Sequence, residues 1–350
     1  PEHAYVNPET DAAHCCGHHA QMAGIFGAAL ALTVPEIAEK LGGQVVFFAT
    51  PAEEYGEIEF KNQLREQGKI RYGGGKCELI RTGAFDDIDL CLAHHIRPGD
   101  EIQVGSGTGN GFVSKVIRYL GKAAHAAGAP DKGVNALSAA SLGLQALGLN
   151  RETFRDEDCV RVHPIITKGG NLVNVIPDEI VIETLVRAKT IEAFTDAAKK
   201  TDRSFQAGAV AMGAKVEITT LPGYLPTLAE QALPELKRAA ELAAPEVPVR
   251  EAAGHSGGST DVGDVQHLMP VYTFNTGGVK GGLHQINFEV TNEEEAYIDT
   301  AKMFALAAYG LLKEKAARSK ELVKNYKPVF KDSAEYTKFM EQFDSKEVLD

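Results

Sequence analysis

Met22, Ile25, Phe26, Ala29 and Leu30 recur at three- and four-residue spacing, which predicts a helix over residues 17–41. Residues 45–50 form a continuous run of branched, aromatic and small side chains, the pattern of a buried central strand. Pro51 stops it. Residues 88–93 predict a second strand of the same kind, and the loop between the two strands carries Gly73-Gly74-Gly75. Beyond Gly111 the pattern changes. It predicts strands at 112–120, 159–167, 179–186 and 215–221, with helices at 134–149 and 190–212. That order, βαββαβ, is the split ferredoxin-like arrangement, expected as a separate domain inserted by two crossings. From Pro222 a mixed pattern resumes, with a helix at 234–243 and a strand at 271–274. A long helix at 292–312 is opened by Asn292 and three glutamates. From Lys313 the chain reads as a charged, sparsely apolar tail.

Composition narrows the choice of partner. Lys and Arg number 36 against 48 Asp and Glu, a formal charge of −12. Phosphates need cationic compensation, so nucleic acid and anionic membrane are poor candidates. Hydrophobic residues make up 44% and charged residues 24%, the balance of a globular chain rather than a disordered one. No apolar run is long enough to span a bilayer, and no targeting peptide is visible after Pro1. Five cysteines without a CxxC pair suggest reduced thiols and a cytoplasmic protein, not a disulfide framework. The glycine-rich residues 105–111 lack the Lys-Ser/Thr ending of a phosphate loop and read as a hinge.

Metal-capable side chains cluster in a few places. In an open α/β sheet, ligands bind beyond the carboxyl ends of the strands. Glu53 and Glu54 follow the strand expected at 45–50, and His94 and His95 follow the one at 88–93. Cys16 and His18 stand where the first helix begins. Three separate segments thus point donors at one rim. Thiolate, imidazole and carboxylate together suit Zn²⁺, or Mn²⁺ or Co²⁺ where oxygen and nitrogen dominate. The spacing Cys16-x-His18 is too short for a zinc finger. Of two adjacent carboxylates, one can bind the cation while the other takes a proton from water whose pKa the cation lowers. Each group alone has a plainer reading, as a solvated turn or a helix start with a buried thiol. Asp264 reads as a helix cap, Asp261 is open, and Cys77, Cys91 and Cys159 read as small apolar residues.

Seven motifs then fall in order along nearly the whole chain. They are His14-Cys15-Cys16-Gly17-His18-His19, Thr50-Pro51-Ala52-Glu53-Glu54 and His95-Ile96-Arg97-Pro98, followed by the stretch 121–127 around His125. The run 169–177 with Asn174, followed by Arg187, comes next, then 258–265 and His284-Gln285-Ile286-Asn287-Phe288. In this the chain resembles the dimetal amidohydrolases and exopeptidases: aminoacylases, carboxypeptidases acting on N-acyl glutamates, and desuccinylases. It is most similar to the branch with indole-acetyl-amino-acid hydrolases and p-aminobenzoyl-glutamate hydrolase. Cys15 and His19 depart from the family pattern, which has Ala and an Asp or Asn there.

The resemblance implies an α/β protein: an open mixed-sheet catalytic domain with the ferredoxin-like unit as an inserted lid and dimerisation domain. Residues 1–110 would be the front of the catalytic domain, 111–222 the lid, and 223–350 the back with its tail. The family carries a substantial α/β portion before the Cys-Gly-His motif, so the front is expected to be truncated. Two divalent ions (Zn, Mn or Co) would be held by Cys16 as bridging ligand with His18, Glu54, His95 and His284, while His94 stays open as an alternative to His95. His19 could add to the site or compete for metal. Glu53 would be the general base. His125 would steady the oxyanion in the partner's site of a homodimer, and Asn174 and Arg187 would hold the substrate's amide and carboxylate. The expected activity is hydrolysis of an N-acyl or aroyl amino acid such as an aroyl-glutamate. A dipeptidase or carboxypeptidase with the same centre is the first alternative, a non-catalytic binding or regulatory relative the second. A Cys16 nucleophile is a weaker third.

Overall fold

The computed structural model describes residues 6–10 and 12–349, so the start of the expected front domain lies outside the described residues. The first helix, α1 (His18–Leu32), is followed by α2 (Ile58–Glu66), α3 (Gly75–Arg81), β1 (Cys91–Ile96) and β2 (Ile102–Val104). A central block comes next: β3 (Gly111–Leu120), α4 (Ala136–Asn150), β4 (Arg161–Val162), β5 (Ile165–Lys168), β6 (Glu179–Ala188), α5 (Ile191–Met212) and β7 (Lys215–Tyr224). The chain continues through α6 (Pro234–Ala243), β8 (Val249–Glu251), β9 (Val271–Thr276), α7 (Thr300–Asn325), α8 (Ser333–Met340) and β10 (Ser345–Leu349).

Two main sheets organise these elements. One is mixed, in the order β8-β2-β9-β1, with β1 parallel to β9 and β9 antiparallel to β2. The other is antiparallel, in the order β10-β7-β3-β6-β4, and β5 also pairs with β6. On the mixed sheet, Ala28 of α1, Leu236 of α6 and Phe304 of α7 pack with Val104 and Phe274 in one core. A second core starts between the antiparallel sheet and its helices α4 and α5, with Ile117, Ile182, Ala139 and Phe205. It runs without a break through Phe112 and Tyr224 to Tyr72, Cys77 and Val271, so the two sheets share apolar packing.

Local chemistry explains the helices of the antiparallel block. Asn135 caps α4 by accepting from the amides of Leu137 and Ser138, and Thr190 caps α5 by accepting from Ala193. Such caps contribute about 1 kcal/mol each. Gly213, at φ +64°, ends α5 in the left-handed conformation.

Three expectations are corrected. The helix expected over 17–41 stops at Leu32, because Pro35 lacks the N–H to continue it, and a separate single turn starts at Pro35–Ala38. Residues 45–50 are not a strand: the apolar run is present, but among the described residues it has no ladder partner. The second strand is shifted to Cys91–Ile96, so His94 and His95 lie within it rather than after it. The tail is folded. Phe330, Tyr336, Met340 and Phe343 are buried, and β10 pairs with β7. Their spacing places a few apolar residues on one side of an otherwise charged segment, which average polarity hides. Residues 105–111 pass through short pairings of Thr108–Gly109 with His255–Ser256 and lead straight into β3. Among the described residues no helix is long and apolar enough to cross a membrane.

Candidate metal centre

Adjacent residues of a strand face opposite ways, and β1 applies this rule to its two histidines. His94 points into the core, 5% exposed, with Nε2 2.8 Å from the Thr276 hydroxyl and its ring against Phe274 and Phe304. Burial holds its pKa well below the ordinary imidazole value, so it is neutral. His95 faces the other way. Its Nδ1 donates to the carbonyl of Ile96 at 2.6 Å, which leaves Nε2 toward Cys16 Sγ, 3.5 Å away.

Cys16 and His18 reach the same place because the chain turns sharply at Gly17. Its φ is +90°, and a Cβ there would lie 2.0 Å from Ile96 Cγ2. Only glycine lets the start of α1 close onto the end of β1. The loop bearing His284 is tied to the same turn, as the His284 amide donates to the carbonyl of Cys15 at 2.7 Å. Glu53 and Glu54 arrive from the 51–54 loop. His18 Nε2 lies 3.3 Å from Glu54 Oε1 and 3.6 Å from Glu53 Oε2, and His284 Nε2 lies 3.3 Å from Glu54 Oε1.

Three groups of ligand atoms result: Cys16, His18 and His95; Cys16, Glu54 and His284; His18, Glu53 and Glu54. Within each, all atoms lie within 4.8 Å of one another. Ligands about 2.1 Å from a zinc ion in a tetrahedron stand about 3.4 Å apart. The separations of 3.3 to 3.5 Å therefore fit a cation, as does the mix of one thiol, three imidazoles and carboxylate. The donors also lie within hydrogen-bonding reach of one another. Hydrogen bonds to Cys16 and then Glu54 push the pKa of His18 up to about 11, and His18 holds Glu54 down at about 2. Burial lowers His95 to about 4 and raises the Cys16 thiol. His18 must shed its proton to ligate.

The remaining expected residues are placed as follows. Arg187 donates to the Ser259 hydroxyl at 2.9 Å and lies over the Phe112 ring, next door to Thr260 and hence to Glu53. His125 and Asn174 are not in the cluster. They stand together on two neighbouring exposed loops of the antiparallel unit, where the Ala126 amide donates to the Asn174 carbonyl. His125 Nδ1 accepts from the Gly128 amide at 3.0 Å. His19 lies against Phe288 and Tyr297 and belongs to none of the three ligand groups. Asp264 is not a cap: it is buried and accepts from the Tyr336 hydroxyl and the Leu225 amide. Of the three cysteines expected in apolar surroundings, Cys77 is buried, whereas Cys91 and Cys159 are partly exposed.

Several contributors were not legible beforehand. Gln21 Oε1 accepts from His18 Nδ1 at 2.8 Å, and its position one turn along α1 was the available signal. Thr260 donates to Glu53 Oε1 at 2.7 Å, and Asp261 pairs with Lys76 at 2.6 Å. Thr260 and Glu53 are 207 residues apart, so nothing local could have joined them.

The profile of peptidase family M20/M25/M40 matches residues 3–309. The chain is 28% identical over 325 residues to the Xaa-Arg dipeptidase of Mus musculus, covering 90% of this chain and 67% of that one. It is 30% identical over 176 residues to a p-aminobenzoyl-glutamate hydrolase subunit of Escherichia coli, covering 50% and 32%. In fold it is similar to the Bacillus subtilis YXEP protein, a dinuclear metal binding peptidase. The TM-score is 0.56 at 23% identity, over 86% of this chain and 74% of that one.

Proposed function

The chain belongs to peptidase family M20/M25/M40 and is a metal-dependent hydrolase of amide bonds. From that premise we propose that it cleaves the amide of an N-acyl or aroyl amino acid, using two divalent cations. The observation that carries the reading is Cys16, shared by two ligand groups, one with His18 and His95 and the other with Glu54 and His284. That sharing supports a thiolate between two centres, of zinc, manganese or cobalt. When bound, such cations acidify water and polarise a carbonyl. Glu53 takes the proton of the attacking water and passes it to the leaving amine. Its Oε2, turned toward His18, is the atom that does so. Arg187 holds the carboxylate beside the scissile bond through its planar fork. His125, exposed on the antiparallel unit, serves a partner chain's site in a homodimer by stabilising the oxyanion, and Asn174 beside it holds the substrate's amide.

A dipeptide substrate is the second reading, favoured by the relative that matches 90% of this chain, a dipeptidase named for a C-terminal arginine. Elemental analysis of gently purified protein, with a panel of N-acetyl amino acids, p-aminobenzoyl-glutamate and Xaa-Arg dipeptides, tests both. About two metal equivalents and chelator-sensitive hydrolysis are expected. Turnover of the dipeptides alone would replace the first reading by the second, and metal-free protein with no turnover would overturn both. Glu53→Gln is expected to lose at least about 100-fold in kcat with metal retained. Unchanged turnover would remove Glu53 from the role of base.

A further inference from the structure

A carboxylate has two oxygens, and only one of Glu53's faces the ligand cluster. Oε2 lies 3.6 Å from His18 Nε2, while Oε1 accepts the Thr260 hydroxyl hydrogen bond at 2.7 Å. Thr260 is itself fixed by its chain neighbour Asp261. That residue is fully buried, with Oδ1 2.6 Å from Lys76 Nζ and Oδ2 accepting from the Lys76 backbone amide at 2.9 Å. Lys76 stands in the first turn of α3, and that turn also holds the glutamate's own loop. The Gly75 amide donates to the carbonyl of Ala52 at 3.0 Å, and a Cβ on Gly75 would lie 1.7 Å from the Pro51 oxygen. The Tyr224 hydroxyl donates to the backbone carbonyl of Glu53. Both partners of the Thr260–Glu53 hydrogen bond are therefore fastened to one helix start.

We propose that Thr260, held by the Lys76–Asp261 pair, is a positioning residue for Glu53. Its hydroxyl occupies Oε1 and so presents Oε2 to the water that must lose a proton. The inference rests on Glu53 acting as the base. Thr260→Val keeps the shape and removes the donor, and Thr260→Ser keeps the donor. Purified full-length enzyme, metal-loaded, is assayed with p-aminobenzoyl-glutamate and alanyl-arginine, and crystals of wild type and both variants are compared. For Thr260→Val we expect kcat to fall about 10–100-fold with KM within twofold, as for a misplaced catalytic group. Metal content should be unchanged and the Glu53 carboxylate rotated. Thr260→Ser is expected to restore both kcat and the carboxylate orientation. Wild-type kcat in Thr260→Val, or an unmoved Glu53 in its crystal, overturns the assignment. If Glu53→Gln keeps its turnover, the base reading fails instead, and the crystal comparison decides the positioning alone.

Discussion

Two histidines of the centre, His18 and His95, each offer one chosen nitrogen, and the choice is made by what holds the other. Ile96 O takes His95 Nδ1, and Gln21 Oε1 takes His18 Nδ1. Outer partners of this kind tune metal affinity about 10–100-fold. Gln21→Leu is therefore expected to weaken binding of the cation by that factor, read by titration against a chelating dye, with the fold intact by circular dichroism. Unchanged affinity would mean that ring packing alone orients His18. Away from the centre, Glu230 carries a different signal. Among the described residues neither of its buried carboxylate oxygens has a hydrogen-bond partner, and burial pushes its pKa up to about 9 from an ordinary 4.5. Between those two values the folded chain keeps a proton that the unfolded chain has released. Stability contributed by this group is thus full below about 4.5 and is lost as pH rises through about 9. Glu230→Gln should flatten that decline, by at most about 1.4 kcal/mol per pH unit. Urea denaturation from pH 5 to 9 checks it, and parallel curves for the two proteins would refute it.

Elements whose pattern is local were legible in the sequence. Residues 190–212 carry an unbroken helical repeat between a capping threonine and a glycine, and α5 runs Ile191–Met212. The helix of 234–243 begins at a proline suited to a first turn and is found at Pro234–Ala243. Strands are less local, since a strand exists only where a neighbour accepts its hydrogen bonds. Residues 45–50 have the composition of a strand but no ladder among the described residues, and Val46 stays 53% exposed. The same dependence moved the end of β1 by three residues. With the end at residue 93, His94 and His95 were equivalent neighbours in a loop; with it at Ile96, the pleat separates them into a core residue and a site residue. The donor types of the centre were legible because thiol, imidazole and paired carboxylate are rare together. The groups that aim them were not, because Thr260, Lys76 and Asp261 are ordinary residues until the fold brings them together.

At the scale of the molecule, the two sheets are joined by more than the crossings at 105–111 and near Pro222. The segment beyond the family match, which ends at residue 309, spans both of them. Its helix α8 lies against α3, where the Tyr72 hydroxyl donates to the Thr337 carbonyl at 3.1 Å. Tyr336, fully buried, donates to Asp264 Oδ1 at 2.8 Å beneath the site. Arg65 meets Asp344 at 2.6 Å, and β10 then lies on the edge of β7, pairing Thr220 with Ser345 through to Val216 with Leu349. One continuous piece thus clamps the floor of the site to the antiparallel sheet. Tyr336→Phe tests the clamp without emptying the core. It removes one donor from a buried carboxylate and should lower unfolding free energy by about 1–3 kcal/mol. Deletion of residues 327–350 should cost more, because it also uncovers Tyr72 and leaves β7 an open edge. The deletion should bring earlier thermal unfolding together with aggregation, read by calorimetry and light scattering. A truncated chain that unfolds at the full-length temperature would mean that the shared core through Phe112 and Tyr224 holds the two sheets on its own.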